Sequence, residues 1–213
     1  MTEVIKEDNP ESPQIVSSIL KREGIIIYPT ETLYGMGAIA SNEESVSKIF
    51  EVKGRPHGKP IPILVRDRDM LAEFAEITEQ ASKLIDAFLP GPLTLILKEK
   101  KNLPVLITAG TGKVAVRISR HPFVKRLFNL VSEPITSTSA NISAGENLFS
   151  FDEIYRVFKD KVDLIIDSGN LPPSKGSTVV DLTVEPPVVV REGDISKEEL
   201  KEFINIQPRM DTD

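Results

Sequence analysis

Short β-branched apolar runs, bounded by glycine or proline, alternate with stretches of helical periodicity along this chain. That alternation confines it to an α/β layer fold. The clearest run is Gly24-Ile25-Ile26-Ile27-Tyr28-Pro29. It shows no polar alternation, which suits a strand buried on both faces. Before it, Ser12-Pro13 reads as an N-cap followed by proline in the first turn, Ile15, Val16, Ile19 and Leu20 share one helical face, and Gly24 stops the helix. Further helical stripes run through Val46, Ile49 and Phe50 after Asn42, through Ala81, Leu84, Ile85 and Phe88 before Pro90-Gly91-Pro92, and through Val124, Leu127, Phe128 and Val131 after Pro122. Strands are expected at 61–65, 93–97, 114–118, 134–138, 162–167, 177–182 and 188–191. A last helix begins at Ser196, where Glu199 completes a capping box.

No repeat, low-complexity tract or long linker divides the 213 residues. The expected organisation is one domain over 11–204, between a loose N-terminal tail at 1–10 and a polar C-terminal tail at 205–213. An apolar fraction of 40% suffices for one core, and a charged fraction of 27% is ordinary for a globular protein. The formal net charge of −6 argues against general coating of nucleic acid but leaves room for a local basic site. With no cysteine and only His57 and His121, disulfides, thiolate metal sites and a cysteine nucleophile are excluded, and no metal site built from side chains is expected. The N-terminus carries no signal-like apolar run, and nothing approaches the roughly 20 apolar residues that span a bilayer. A soluble, cytoplasmic protein with no membrane contact is the expectation.

Two nucleotide-binding motifs are nearly matched and both fail. Gly35-Met36-Gly37-Ala38-Ile39-Ala40 fits G-x-G-x-x-A, but Pro29 to Tyr34 separate it from the preceding strand and the next helix starts only beyond it. Gly54-Arg55-Pro56-His57-Gly58-Lys59 is one residue short of a P-loop, and Pro60 stands where Ser or Thr is required.

Three segments carry chemistry. Lys53-Gly54-Arg55-Pro56-His57-Gly58-Lys59-Pro60 gathers three cations and a histidine on a loop that glycine and proline keep from being helical. A basic loop is more often a solvated surface feature, yet this one also suits a polyphosphate. Thr136-Ser137-Thr138-Ser139-Ala140-Asn141 places hydroxyls and an amide directly after a strand, where ligands of α/β sheets lie and where turns also favour such residues. Pro29-Thr30-Glu31-Thr32-Leu33-Tyr34-Gly35 follows another buried strand, and Glu31 reads as a general base or as a loop carboxylate. Arg117 interrupts the apolar run 114–118 and needs an anionic partner, either a substrate or a carboxylate of the fold.

Taken in order, PTETLYGMG, KGRPHGKP, TSTSAN, STVVD and VVVREG make the chain resemble the YrdC-like (Sua/YciO/YrdC) family from about Gly24 to Gly193. The resemblance implies a single-domain, twisted open sheet of mixed strands with flanking helices and a large concave basic cavity. It also implies an ATP-using L-threonylcarbamoyladenylate synthase. Threonine's amine captures bicarbonate as a carbamate, which attacks the α-phosphate of ATP and expels pyrophosphate. The product would pass to a threonylcarbamoyl transferase acting on tRNA. Lys53 and Arg55 match the family's KxR pair, and Ser139 and Asn141 its SxN pair; these four are the expected catalytic and ATP-binding residues. Lys59, Lys113, Asn147 and Arg191 match positions on the nucleotide side, and Thr32, Arg117 and Ser177 match positions that hold threonine. Magnesium is expected to be held through the ATP phosphates. The chain ends soon after Arg191, so the further C-terminal domain of longer family members is not expected. The alternative is a family member that binds double-stranded RNA or tRNA without synthase activity, which leaves a direct RNA contact by the 53–60 loop open.

Overall fold

The computed structural model describes residues 1–100, 103–142 and 145–205. Its strands form two sheets. The first orders β1 (Glu3–Lys6), β9 (Leu164–Asp167), β2 (Ile26–Tyr28), β3 (Gly35–Gly37) and β8 (Thr138–Ser139). Here β1, β9 and β2 run parallel, while β3 is antiparallel to both β2 and β8. The second orders β11 (Val188–Arg191), β10 (Thr178–Asp181), β5 (Leu93–Lys98), β6 (Lys113–Arg117), β4 (Ile63–Leu64) and β7 (Ile135–Thr136). The fold is mixed α/β, as the alternation predicts.

A single sheet was the sequence expectation, and the reason for two lies in one segment. The run 134–138 reads as one strand but changes partners at Ser137. Its β7 half pairs with β4 of the second sheet, and its β8 half pairs with β3 of the first. At the crossing, Ser137 N–H donates to Pro62 O at 2.7 Å and Thr136 N–H to Ala38 O at 2.8 Å. Side-chain alternation carries no information about which neighbour a strand chooses, so the change is invisible in composition. The two sheets meet along this seam.

The expected loose tail at 1–10 is corrected as well. Glu3–Lys6 pairs in parallel with β9, and Lys6 Nζ lies 2.5 Å from the buried carboxylate of Asp167. Only Ile5 of the four residues is buried, so an edge strand of this kind reads as a polar tail. Of the tail at 205–213, residues 206–213 lie outside the described residues.

Helices close the layers. α1 (Ser12–Lys21) buries Val16, Ile19 and Leu20. Its cap residue is Glu11, and the Ser12 hydroxyl bonds Glu7 O at 3.2 Å instead of capping. α2 (Glu43–Lys53) starts at Asn42, whose side chain accepts from Ser45 N–H at 2.8 Å. Such a cap contributes about 1 kcal/mol. α3 (Arg68–Phe74), α4 (Glu79–Phe88), α5 (Val105–Thr108), α6 (Pro122–Phe128), α7 (Phe151–Phe158) and α8 (Lys197–Lys201) follow. No helix among the described residues is long and apolar enough to cross a membrane.

Tyr28 explains the failed dinucleotide motif. Its ring is fully buried against β3, and its hydroxyl donates to Thr136 O at 3.0 Å across the seam. A Cβ at Gly35 or Gly37 would sit 2.9 or 2.7 Å from that ring, so these two glycines make room for a side chain of the core.

Candidate functional site

A cavity of 190 Å³ opens where the two sheets meet. The first sheet's side supplies the 30–35 turn and Ser139; the second supplies Thr94, Arg117, Ser177 and Arg191. Arg55 reaches in from the loop after α2. Three arginines and several hydroxyls therefore face one space, and no aspartate or glutamate is among its lining residues.

The 30–35 turn is organised by one hydroxyl. Thr30 Oγ1 accepts from Thr32 N–H and Leu33 N–H, both at 3.2 Å, and donates to Leu33 O at 2.7 Å. The turn thus fixes Thr32, whose Oγ1 accepts from Arg117 Nη1 at 3.0 Å. Arg117 ends β6 and is 5% exposed. Its Nε donates to Gly91 O at 3.1 Å, and Nη2 lies 2.9 Å from Glu31 Oε1. That last approach is close but not aligned as a hydrogen bond, so Nη2 contributes charge pairing while keeping its N–H groups without an aligned acceptor.

Glu31 answers both questions the sequence leaves open. It is the anion that Arg117 requires, and it is no poised base. Burial pushes its carboxyl up, but the Arg117 charge and the Ser119 hydroxyl outweigh that and hold it below its ordinary value. Arg120 N–H adds a bond at 3.2 Å. A carboxylate so supplied with donors stays ionised and reluctant to take a proton.

On the second sheet, Ser177 precedes β10 and its Oγ lies 2.8 Å from Thr94 Oγ1 on β5. Arg191 closes this end. Its Nε and Nη2 donate to Ser177 O at 3.1 and 2.7 Å, and Nη2 also reaches Ser177 Oγ at 3.1 Å. Burial, and then the Arg117 charge, hold the Arg191 guanidinium below its ordinary pKa.

The basic loop is built differently. α2 ends at Lys53, and Gly54 takes the left-handed conformation (φ 58°) that turns the chain out of the helix. Lys53 is 1% exposed, and among the described residues its ammonium has oxygens but no carboxylate within reach. It donates to Ser139 O at 2.5 Å, Asn141 O at 2.6 Å and Asn141 Oδ1 at 3.1 Å. Burial, and secondly the neighbouring Arg55, bring its pKa down to about 7. Arg55 donates to the carbonyls of Lys59 and Pro60 at 3.3 and 2.7 Å. Ser139 Oγ donates to Asn141 Oδ1 at 2.8 Å, so Lys53 and the SxN pair form one hydrogen-bonded unit, with Arg55 outside it.

Six of the sequence-predicted residues therefore share the cavity: Thr32, Arg55, Arg117, Ser139, Ser177 and Arg191. Lys53 and Asn141 stand behind Ser139 and do not line it. Three predicted residues lie elsewhere. Lys113 begins β6 four residues before Arg117, about 13 Å along an extended strand, and pairs with Asp181 at 3.0 Å. Lys59 and Asn147 are exposed and outside the lining. Sequence reasoning missed Thr94 and the carbonyl of Gly91. A threonine inside an apolar strand reads as strand propensity, and a backbone acceptor has no residue-type signal at all.

The Sua5/YciO/YrdC family model, described as "Telomere recombination", matches residues 18–193. A threonylcarbamoyl-AMP synthase of Pyrococcus abyssi is 39% identical over 192 residues, which are 90% of this chain and 56% of that protein. A putative threonylcarbamoyl-AMP synthase of Methanocaldococcus jannaschii is 39% identical over 200 residues, covering 92% of this chain and 94% of that one. The structure of P. abyssi Sua5 complexed with L-threonine superposes with a TM-score of 0.90 at 37% identity, covering 98% of this chain and 63% of that chain. The chain thus spans somewhat more than half the length of the P. abyssi protein.

Proposed function

The chain belongs to the Sua5/YciO/YrdC family, and from that membership we propose that it is an L-threonylcarbamoyladenylate synthase acting on L-threonine, bicarbonate and ATP. The observation that carries this reading is the convergence of Thr32, Arg117 and Ser177 on one cavity that also receives Arg55, Ser139 and Arg191. The same activity is named for the P. abyssi and M. jannaschii relatives.

The donors divide the work. At the Thr32–Arg117–Ser177 end, hydroxyls and a guanidinium suit the carboxylate of an amino acid. The enclosed volume of 190 Å³ is below the roughly 300–1,000 Å³ of sites for larger ligands, so it fits the amino acid, with the nucleotide extending through the mouth. Arg55 and Arg191 have only carbonyl or hydroxyl partners among the described residues, so their charge is free to neutralise phosphate oxygens. The neutral threonine amine adds to bicarbonate, giving a carbamate and water. A carbamate oxygen then forms a bond to the α-phosphorus as the bond to pyrophosphate breaks. Catalysis of this kind needs alignment and neutralised charge more than a protein nucleophile. Lys53 and Asn141 serve it by holding Ser139 in place.

Magnesium fits as a passenger of ATP. The described residues hold no cluster of three or more His, Cys, Asp or Glu side chains, whereas the triphosphate brings its own hard oxygens. When bound, the ion supplies charge neutralisation at the departing phosphates. A transferase that accepts the labile adenylate and acts on tRNA is the proposed partner. Mass-spectrometric detection of threonylcarbamoyl-AMP in a reaction of the purified protein tests the reading; accumulation of AMP adducts lacking the threonyl group would overturn it.

A further inference from the structure

Thr94 and Ser177 form a buried hydroxyl pair that the strands do not need. Their elements are already joined in register, Thr178 opposite Leu93, and Thr178 N–H donates to Pro92 O at 2.9 Å. A valine at position 94 would suit a strand interior equally well. The pair lies on the cavity wall, and its protons can be counted. Ser177 Oγ accepts from Arg191 Nη2 at 3.1 Å, and the two hydroxyl oxygens are 2.8 Å apart. Only one of the two hydroxyl protons can lie between them, so the other has no acceptor among the described residues. An unused proton costs more the deeper it lies. Thr94 is 2% exposed and Ser177 is 7% exposed, which favours Thr94 as donor to Ser177. Ser177 then has both lone pairs filled, by Thr94 and Arg191, and its own proton is turned into the cavity. Thr32 differs: its oxygen accepts from Arg117, and because Thr30 gives its proton to Leu33 O, the Thr32 proton is taken by Thr30 Oγ1 3.0 Å away. The donors left for a carboxylate at this end are therefore the Ser177 hydroxyl and the unaligned Nη2 of Arg117.

We propose that Thr94 is a positioning residue for the amino-acid substrate, donating to Ser177 so that the Ser177 hydroxyl is aimed at the substrate's carboxylate. The inference rests on the reading of this cavity as the L-threonine site. It is tested with Thr94→Val, which keeps the shape and removes the hydroxyl, and Thr94→Ser, which restores it. Initial rates of pyrophosphate release are measured against L-threonine and separately against ATP, together with thermal unfolding. Thr94→Val should raise KM for L-threonine roughly threefold to tenfold, the weight of one neutral hydrogen bond, and leave KM for ATP within about twofold. Thr94→Ser should return the threonine value to near wild type. An unchanged threonine KM in Thr94→Val would overturn the inference. So would a parallel rise in both KM values with a lowered melting temperature, or a Thr94→Ser variant as impaired as Thr94→Val. Release from wild type that ignores L-threonine would instead remove the reading of the site, and the inference with it.

Discussion

Arg117 and Arg55 face the same cavity yet keep their charges in opposite ways. Arg117 is buried and charge-compensated, with Glu31 2.9 Å away, Thr32 and Gly91 as hydrogen-bond acceptors, and a side chain only 6% exposed. Arg55 rests on two backbone carbonyls of its own loop and has no carboxylate among the described residues. An ion pair in the interior must be complete, because a lone buried charge is costly. A cation left with neutral acceptors still carries its full charge for a ligand. The first arginine is therefore part of the framework as well as the site; the second waits for an anion. Stability and activity should respond separately at the two ends.

The largest effect expected is on activity at the open end. Arg55→Ala should lower kcat/KM for adenylate formation by about 10²–10³, the scale of losing one charge-stabilising group, with a circular dichroism spectrum and urea midpoint close to wild type. At the compensated end the order reverses. Glu31→Ala should cost about 3–5 kcal/mol in urea unfolding by stranding Arg117, and the threonine KM should rise as Arg117 loses its anchor. If Glu31→Ala is as stable as wild type, the contrast between the two arginines is broken.

Titration sharpens the same contrast. Glu31 is held below its ordinary value, so its stabilisation is complete above the unfolded carboxyl pKa and is lost as pH falls through the folded one. Acid unfolding should therefore be less steep in Glu31→Gln. Lys53 gives a slope of the same sign at higher pH. Its pKa falls from 10.5 unfolded to about 7 folded, so between those values the unfolded chain holds the extra proton and stability rises with pH. Lys53→Met should flatten that rise in denaturation curves taken from pH 7 to 10. The smallest effects belong to Lys59→Ala and Asn147→Ala, which should change the L-threonine KM by no more than about twofold, since both side chains are exposed and outside the cavity.

Much of this was legible beforehand, for reasons that differ by level. The buried strand at Ile26–Tyr28, the Asn42 cap and the Ser196–Glu199 capping box are local, and local chemistry writes itself into adjacent residues. The same box at Ser150–Glu153 is as readable, and Phe151, Ile154, Tyr155 and Phe158 follow it at helical spacing, so this helix, absent from the expected elements, was legible too. The split of 134–138 between two sheets depends on which partner each half meets, and no local pattern records that. At the site, Arg117 announces itself as a charge in an apolar run, while its anion comes from 86 positions earlier in the chain. Lys113 shows what motif matching leaves open: it stands at the start of the strand that Arg117 ends, and its partner in the fold is Asp181. Thr94 carries no signal because a threonine in a strand needs no explanation until its proton is counted.

Pyrophosphate release by the purified protein, with ATP, magnesium and bicarbonate, with and without L-threonine, tests the central claim most directly. The account predicts release that requires both L-threonine and bicarbonate and that disappears in Arg55→Ala. Release that is equal without L-threonine, or none from protein shown to be folded, would contradict it.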